Sequence, residues 1–331
     1  MSPGLVVRDI MRKPHVAIIG AGLSGLACGK ALAEAGVSPV IFEKSRSLGG
    51  RLASRRWEGH VVDHGAPWFS AVPMALRQLC GDGLKRLTAP VADQGTGLPE
   101  AEPPDGRWYL PAGNNRLGQL LAAGMEVRLE CPVAEVHPMP NGRWRAGEEV
   151  FDAVVLTAPW PQSLALLGQN LRSHPPNEPR YVRTLTAFFG YAGDPSGKAA
   201  VWSGQHHGQS GSGGLERSVC ENHKSGRILV GQTVIVAHAT AFFSEEYFEA
   251  PRVDWAARLE AAVREAWQQP RPPGAVFTHR WGFSTVVEPR PEPPGLPAGL
   301  VLAGDAVAGS RMGAVYESGL AAAQFVLDSW R

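Results

Sequence analysis

The sequence predicts an α/β fold: a Rossmann-like dinucleotide-binding domain with a parallel sheet and an antiparallel crossover, plus an α+β substrate domain. Three observations predict it. A strand–glycine turn–helix–strand unit fills His15 to Arg51. A second buried strand, Phe151–Pro159, follows a run of alternating segments. A third, Gly299–Asp305, precedes an alanine-rich helix near the far end of the chain. Expected boundaries are 13–72, 108–160 and 276–331 for the dinucleotide domain, and 73–107 and 161–275 for the substrate domain.

Val16–Ile19 is apolar and β-branched, which reads as a buried strand. Gly20-Ala21-Gly22-Leu23-Ser24-Gly25 follows and opens a helix that runs to about Ala35. In this pattern Gly20 allows the sharp turn, Gly22 lets the backbone approach a pyrophosphate, and Gly25 lets helix and strand pack closely. The helix N-terminus offers unpaired N–H groups and a partial positive charge to phosphates. Val40-Ile41-Phe42 is the next strand. Glu43 closes it, 18 residues after Gly25, where an acid accepts hydrogen bonds from a ribose. Gly25 and Gly29 also form a GxxxG pair, but Lys30 and Glu34 interrupt the apolar run too early for a membrane span.

With 331 residues, 44% of them hydrophobic, the chain has material for two domains. A net charge of +1 with interspersed signs points to no nucleic-acid or membrane partner. Cys28, Cys80, Cys131 and Cys220 form no CxxC, and no secretory signal precedes the first strand. Free thiols and a cytoplasmic location are expected, with Cys28 buried in the first helix. Residues 1–12 fit no element, and Met11 is a second candidate start. His206-His207 has no ligand partners at metal spacing, so no metal site is expected.

Pro73–Leu79 reads as a short helix and 81–106 as loop. Trp108–Gly113 leads into a helix at Asn115–Ala123. Met125–Leu129, Ala134–His137 and Arg143–Ala146 alternate as strands of one antiparallel crossover, with a hairpin turn at Asn141-Gly142. After Leu164–Leu167, a helical fragment, Thr184–Ala192 and Lys198–Trp202 read as strands. Gln205–Lys224 reads as a Gly/Ser loop, and Arg227–Thr240 as a strand broken at Gly231. Ser244–Gln268 holds two helical stretches, with Leu259, Val263 and Trp267 on one face. Ala275–Trp281 is a returning strand, and Gly313–Asp328 the last helix.

Ser45-Arg46-Ser47-Leu48-Gly49-Gly50-Arg51 resembles the xGGR element of glutathione-reductase-like FAD proteins. The likeness is to the branch that holds amine oxidases, protoporphyrinogen oxidase, phytoene desaturases and renalase. It implies FAD as cofactor, with the Gly50 backbone and the Arg51 charge at the pyrophosphate. Asp63-His64-Gly65-Ala66 resembles the D-x-G-A turn of that branch, which implies Gly65 and Ala66 beside the flavin. Asp152–Pro159 resembles its returning strand. GLVLAGDAVAGSRMGAVYESGLAAA resembles its C-terminal motif, in which the aspartate, here Asp305, binds a ribityl hydroxyl. The amides near Ala314 and Val315 would then face the flavin N1–C2=O edge. The same resemblance gives cofactor contacts to Leu23, Ser24, Lys44, Val133, Thr157 and Gly304.

Flavin chemistry needs orientation and electrostatics rather than a triad or metal, and the sequence holds neither. Four stretches match the renalase family in order: the GxGxxG–GGR start, Asp152–Pro159, Thr233–Thr240 and His279-Arg280-Trp281. That resemblance implies oxidation of 1,2- or 1,6-dihydronicotinamide dinucleotides, with O2 as electron acceptor and H2O2 as product. It assigns His238, Trp281 and Trp68 (or Phe69) to the reacting side, where aromatic faces suit a flat ring. Classical amine oxidases carry a lysine on a late strand, and no lysine follows Lys224 here. A flavin amine oxidase, a desaturase, an electron-transfer flavoprotein and a non-catalytic FAD- or NAD-sensing protein remain alternatives.

Overall fold

Apolar runs without polar alternation become interior strands. Val16–Ile19, Val40–Phe42, Ala153–Leu156 and Leu300–Leu302 are buried along their whole lengths. The computed structural model describes residues 13–88, 91–93, 103–167, 178–195, 201–203, 214–290 and 296–330. Residues 1–12, His206 and His207 lie outside the described residues. The chain divides into two units, one of Met1–Leu48, Leu121–Pro179 and Pro289–Arg331, the other of Gly49–Leu120 and Arg180–Glu288.

The first unit carries a five-stranded parallel sheet. Its order is Leu300–Leu302, Ala153–Leu156, Val16–Ile19, Val40–Phe42 and Glu126–Arg128. Val16 pairs with Ala153, Ala17 with Val40, and Val40 with Glu126, so the opening motif sits at the centre of the sheet. Helices Leu23–Glu34 and Met312–Trp330 pack together closely: a Cβ added at Gly319 would lie 2.2 Å from the Ser24 carbonyl oxygen. The segment expected at 125–129 as part of the crossover is instead this sheet's parallel edge strand. Alternation cannot tell the two apart, because it reports a pleat and not a direction. The antiparallel crossover is formed by Val136–Pro138, Trp144–Ala146 and Glu149–Phe151.

The second unit carries a six-stranded sheet. Its order is Ala275–Glu288, Arg180–Ala192, Gln232–Ala239, Leu215–Cys220, Val201–Ser203 and Val91–Asp93; only the last pair is parallel. Side chains alternate between its two faces. Leu185, Ala187, Phe189, Ile235 and Ala237 meet Trp255, Leu259, Val263 and Trp267 of the helix Arg252–Trp267. The opposite face puts Phe188, Val234 and Val236 against Val62 and Trp57 of the hairpin Ser54–Trp57/His60–Asp63.

Leu215–Cys220 corrects the loop expected over 205–224. A bulge between Leu215 and Arg217 breaks the alternation that would have marked the strand. The strand expected from Arg227 starts only at Gln232, because Lys224 and Arg227 turn inward to pair with buried carboxylates. Residues 49–72, 108–120 and 276–288, grouped by sequence with the dinucleotide domain, fall in the second unit. The hairpin is tied there by Val61 N–H donating to the Arg227 carbonyl at 3.1 Å and by the ion pairs of Asp63.

Candidate functional site

In the first unit the glycine turn is held from both sides. The Gly20 N–H donates to the Phe42 carbonyl at 2.8 Å, and Thr157 Oγ1 lies 3.0 Å from the carbonyls of Ile19 and Gly20. Glu43 is buried. It accepts from the N–H of Ala21 and from that of Ser45, each at 2.8 Å. The carboxylate therefore fixes the turn itself, a role that spacing alone did not suggest. Gly25 has to be glycine: an added Cβ would lie 2.0 Å from the Gly20 carbonyl oxygen. Gly22 is the opposite case, with open space where its Cβ would go.

The helix behind this turn begins without a side-chain cap and without an acid in its first turn. Its first amides are thus left to an external acceptor. Ser24 Oγ, buried beside them, has no hydrogen-bond partner among the described residues. At the other end of the chain Gly304 has φ +102°, and its N–H donates to Ser318 Oγ at 3.0 Å. Asp305 is buried at the start of a one-turn helix, Asp305–Ala308, and Ala314 and Val315 lie in the first turn of Met312–Trp330. Val133 is half-buried after the edge strand. Lys44 is exposed, and its Nζ donates to Gln162 Oε1 at 3.0 Å.

In the second unit Gly50, Arg51, Gly65 and Ala66 form one tight corner. The Gly65 N–H donates to the Ala53 carbonyl at 3.1 Å and the Ala66 N–H to the Arg51 carbonyl at 2.8 Å. An added Cβ at Gly65 would lie 2.2 Å from that Arg51 oxygen, so only glycine permits the crossing. Arg51 Nη1 donates to the carbonyl of Ser284 at 3.2 Å.

His238, Thr186 and His279 line up across three adjacent strands on the sheet face opposite the helices, and Trp281 follows on the same face. Thr186 Oγ1 lies 3.2 Å from His238 Nδ1. Trp281 Nε1 donates to the His64 carbonyl at 3.1 Å, and the two rings stack at 5.8 Å. His279 lies 4.2 Å from Trp281 and 5.2 Å from His64, between ring centroids. Burial lowers the pKa of His64 to about 4, helped by His279. It lowers that of His238 to about 3, helped by Arg217, and that of His279 in the same direction. All three imidazoles are therefore neutral at neutral pH. His238 Nε2 and His64 Nδ1 are buried without hydrogen-bond partners among the described residues. Trp68 packs against Leu87, Tyr109 and Val219, and the guanidiniums of Arg217 and Arg107 lie 5.0 and 5.3 Å from its ring.

Sequence reasoning missed one cluster. Asp63, Glu221, Lys224 and Arg227 are all inaccessible to solvent. Lys224 Nζ lies 2.9 Å from Asp63 and 2.5 Å from Glu221, and Arg227 Nη1 lies 2.6 and 2.5 Å from the same carboxylates. Ser54 Oγ and the Asn114 N–H complete Asp63 at 2.6 and 3.0 Å. Lys224 and Arg227 hold the Asp63 carboxyl below the usual carboxylate range, against its burial. Asp63 lies 158 or more positions from the other three, so no local pattern announces its part in the cluster.

Residues 18–82 match the NAD(P)-binding Rossmann-like domain, and residues 100–327, more than half the chain, match the family described as flavin containing amine oxidoreductase. The chain belongs to this flavin-containing family. Polyamine oxidase 7 of Oryza sativa subsp. japonica is 44% identical over 61 residues, which is 18% of this chain and 13% of that protein. The chain thus matches only a small part of the curated relatives' length. Among solved structures, a putative protoporphyrinogen oxidase from Exiguobacterium sp. is similar with a TM-score of 0.76 at 15% identity, covering 96% of this chain and 100% of that one. Cyclohexylamine oxidase from Brevibacterium oxydans is similar with a TM-score of 0.74 at 12% identity, covering 96% and 99%. At such identities these likenesses show the fold. Members of the flavin-containing family are FAD-dependent oxidoreductases, and the cofactor here is FAD. The residues present fit it: an uncapped helix start, an orphaned buried Ser24 hydroxyl and open space at Gly22 leave room and donors for phosphates. Among the described residues no helix is long and apolar enough to cross a membrane, and no group of His, Cys, Asp or Glu is arranged to hold a metal.

Proposed function

We propose that this flavoprotein oxidises an isomeric dihydronicotinamide dinucleotide, 1,2- or 1,6-dihydroNAD(P), to the normal nicotinamide, with O2 reduced to H2O2. FAD, when bound, would supply the two-electron chemistry: the substrate gives up a hydride, and its two electrons and one proton, with a second proton from water, convert O2 to H2O2. The observation that carries the reading is the charge of the sheet face with His238 and Trp281. Its histidines are neutral, and Arg217 stands on it in register with His238. The unit's fully buried carboxylates, Asp63 and Glu221, are already committed to Lys224 and Arg227. A cationic amine would meet Arg217 here, whereas a flat, phosphate-bearing substrate would find a counter-charge in it.

On this reading the protein's own residues bind and orient. Trp281, held through its indole N–H, and His279 wall the nicotinamide ring. The unpartnered His238 Nε2 and His64 Nδ1 hold its carboxamide. In the first unit Gly20, Gly22, Leu23, Ser24 and Gly25 take the FAD pyrophosphate, and Glu43 takes a ribose through lone pairs its backbone donors leave free. Thr157, Gly304, Asp305, Ala314 and Val315 serve the rest of the cofactor. Lys44 and Val133 are assigned to the adenosine end, and the resemblance of the GGR and D-x-G-A elements assigns Gly50, Arg51, Gly65 and Ala66 to the cofactor as well.

A flavin amine oxidase is the second reading, favoured by the family match and by the polyamine oxidase likeness. Anaerobic mixing separates the two. The 1,6-dihydro isomer should bleach the flavin absorbance, and air should restore it. Trp281→Ala should slow the bleaching without releasing FAD. Reduction by benzylamine or spermidine, with no response to either dihydro isomer, would replace the first reading with the second.

A further inference from the structure

Arg217 stands apart from the other interior cations of its unit. Lys224 and Arg227 each contact two carboxylates. Arg217 forms no ion pair and no side-chain hydrogen bond among the described residues, and its Nε is buried without a partner. It sits directly across from His238 in the antiparallel pair, at the bulge that starts the strand Leu215–Cys220. Its guanidinium rests 5.0 Å from the Trp68 ring centre, and that of Arg107 5.3 Å from the same ring. The charged or titratable groups around it are Glu216, which the bulge leaves exposed, together with Arg107, His238, His64 and the committed Lys224. A buried guanidinium N–H left unmade is costly, and Glu216 attracts the group without closing an ion pair with it. The unmade N–H suits an oxyanion arriving from outside the chain. Trp68 supplies a rigid plate that aims the guanidinium fork without neutralising it.

We propose that Arg217, aimed by Trp68, is the specificity residue that reads a phosphate of the substrate. This rests on the dinucleotide reading above and adds to it the group that separates a nucleotide from an amine. Arginine suits the task because its fork meets two phosphate oxygens at once, which lysine cannot do.

The test uses the FAD-loaded protein and equilibrium titration with ADP and with nicotinamide riboside, followed by protein and flavin fluorescence. Arg217→Gln should weaken ADP binding by ~10- to 100-fold, the loss of one charge-assisted bond. It should leave riboside binding, FAD content and melting temperature close to the parent's, since Arg217 makes no ion pair and no side-chain hydrogen bond among the described residues. Arg217→Lys should recover part of the ADP affinity and none of the bidentate share. A parent protein that takes no ADP overturns the proposal. So does an Arg217→Gln protein that holds ADP as tightly as the parent, or one that loses riboside equally. If Arg217→Gln does not fold, an Arg217→Lys protein with unchanged ADP affinity overturns it as well. Failure of the dihydro isomers to reduce the flavin would remove the oxidase reading while leaving these titrations to judge Arg217 on its own.

Discussion

Asp63→Asn is the most demanding test of how the second unit is held together. Asp63 Oδ1 takes Ser54 Oγ and the Asn114 N–H, and Oδ2 takes Lys224 and Arg227. Every partner is a donor. An asparagine must turn its NH2 toward one of these pairs, so two donors would meet wherever it points. It also leaves two buried cations facing Glu221 alone. Breaking a buried ion pair from one side costs about 3–5 kcal/mol, which at 2–4 °C per kcal/mol lowers the melting temperature by roughly 6–20 °C. Because Asp63 leads into the corner at Gly65 and Ala66, FAD retention should fall with it. Restoring the balance should help: in Asp63→Asn/Lys224→Met one anion and one cation remain, so the double variant should lose far less than the two single losses added together. Melting curves and released FAD report both effects. An Asp63→Asn protein that melts within about 2 °C of the parent, or additive losses in the double variant, would refute the reasoning.

Two further outcomes follow from geometry and charge. Gly22→Ala should fold and melt like the parent yet lose FAD, because its Cβ enters only the open space beside the turn. Gly25→Ala should fail to hold its fold, since its Cβ meets the Gly20 oxygen at 2.0 Å; equal melting of the two variants would contradict this. Stability should also depend on mild acid. His64, His238 and His279 have lower pKa values folded than unfolded, from 6.5 down to about 4 for His64 and about 3 for His238. The unfolded chain then binds more protons between these limits, so stability is full above 6.5 and falls as pH drops toward the folded values. Asp63, also lowered, adds a loss in the same direction at still lower pH. A flat melting temperature between pH 7 and about 4.5 would count against neutral, buried imidazoles.

The nucleotide half was legible because its signals are local. Gly20 to Gly25 and Glu43 fall within one βαβ unit, and the structure places them as that unit requires. What the sequence hid is long-range or directional. Glu126–Arg128 shows strand periodicity, but nothing local says it pairs in parallel with Val40–Phe42. The bulge at Arg217 shifts the side-chain phase by one residue, so Leu215–Cys220 passed for loop beside a Gly/Ser run. Lys224 was expected at the end of a loop and Arg227 at the start of a strand, because their partner Asp63 is 161 and 164 residues away. His238 and Trp281 were visible as residue types on strands. That Thr186 lies between the His238 and His279 strands needed the order of the sheet.

The order of the first unit's sheet also sets a timetable for folding. Its outermost strand, Leu300–Leu302, pairs with Ala153–Leu156, which pairs with the opening strand, and the helix Met312–Trp330 closes on Leu23–Glu34. The glycine turn is synthesised well before the elements that close round it, which come hundreds of residues later. Until they emerge, the opening helix has an apolar flank with no cover, and the turn has no Gly304 or Asp305 beside it. Contacts of such sequence separation form late and slowly. A nascent chain halted before residue 300 should therefore be protease-sensitive and colourless, and flavin should enter only when the last helix docks.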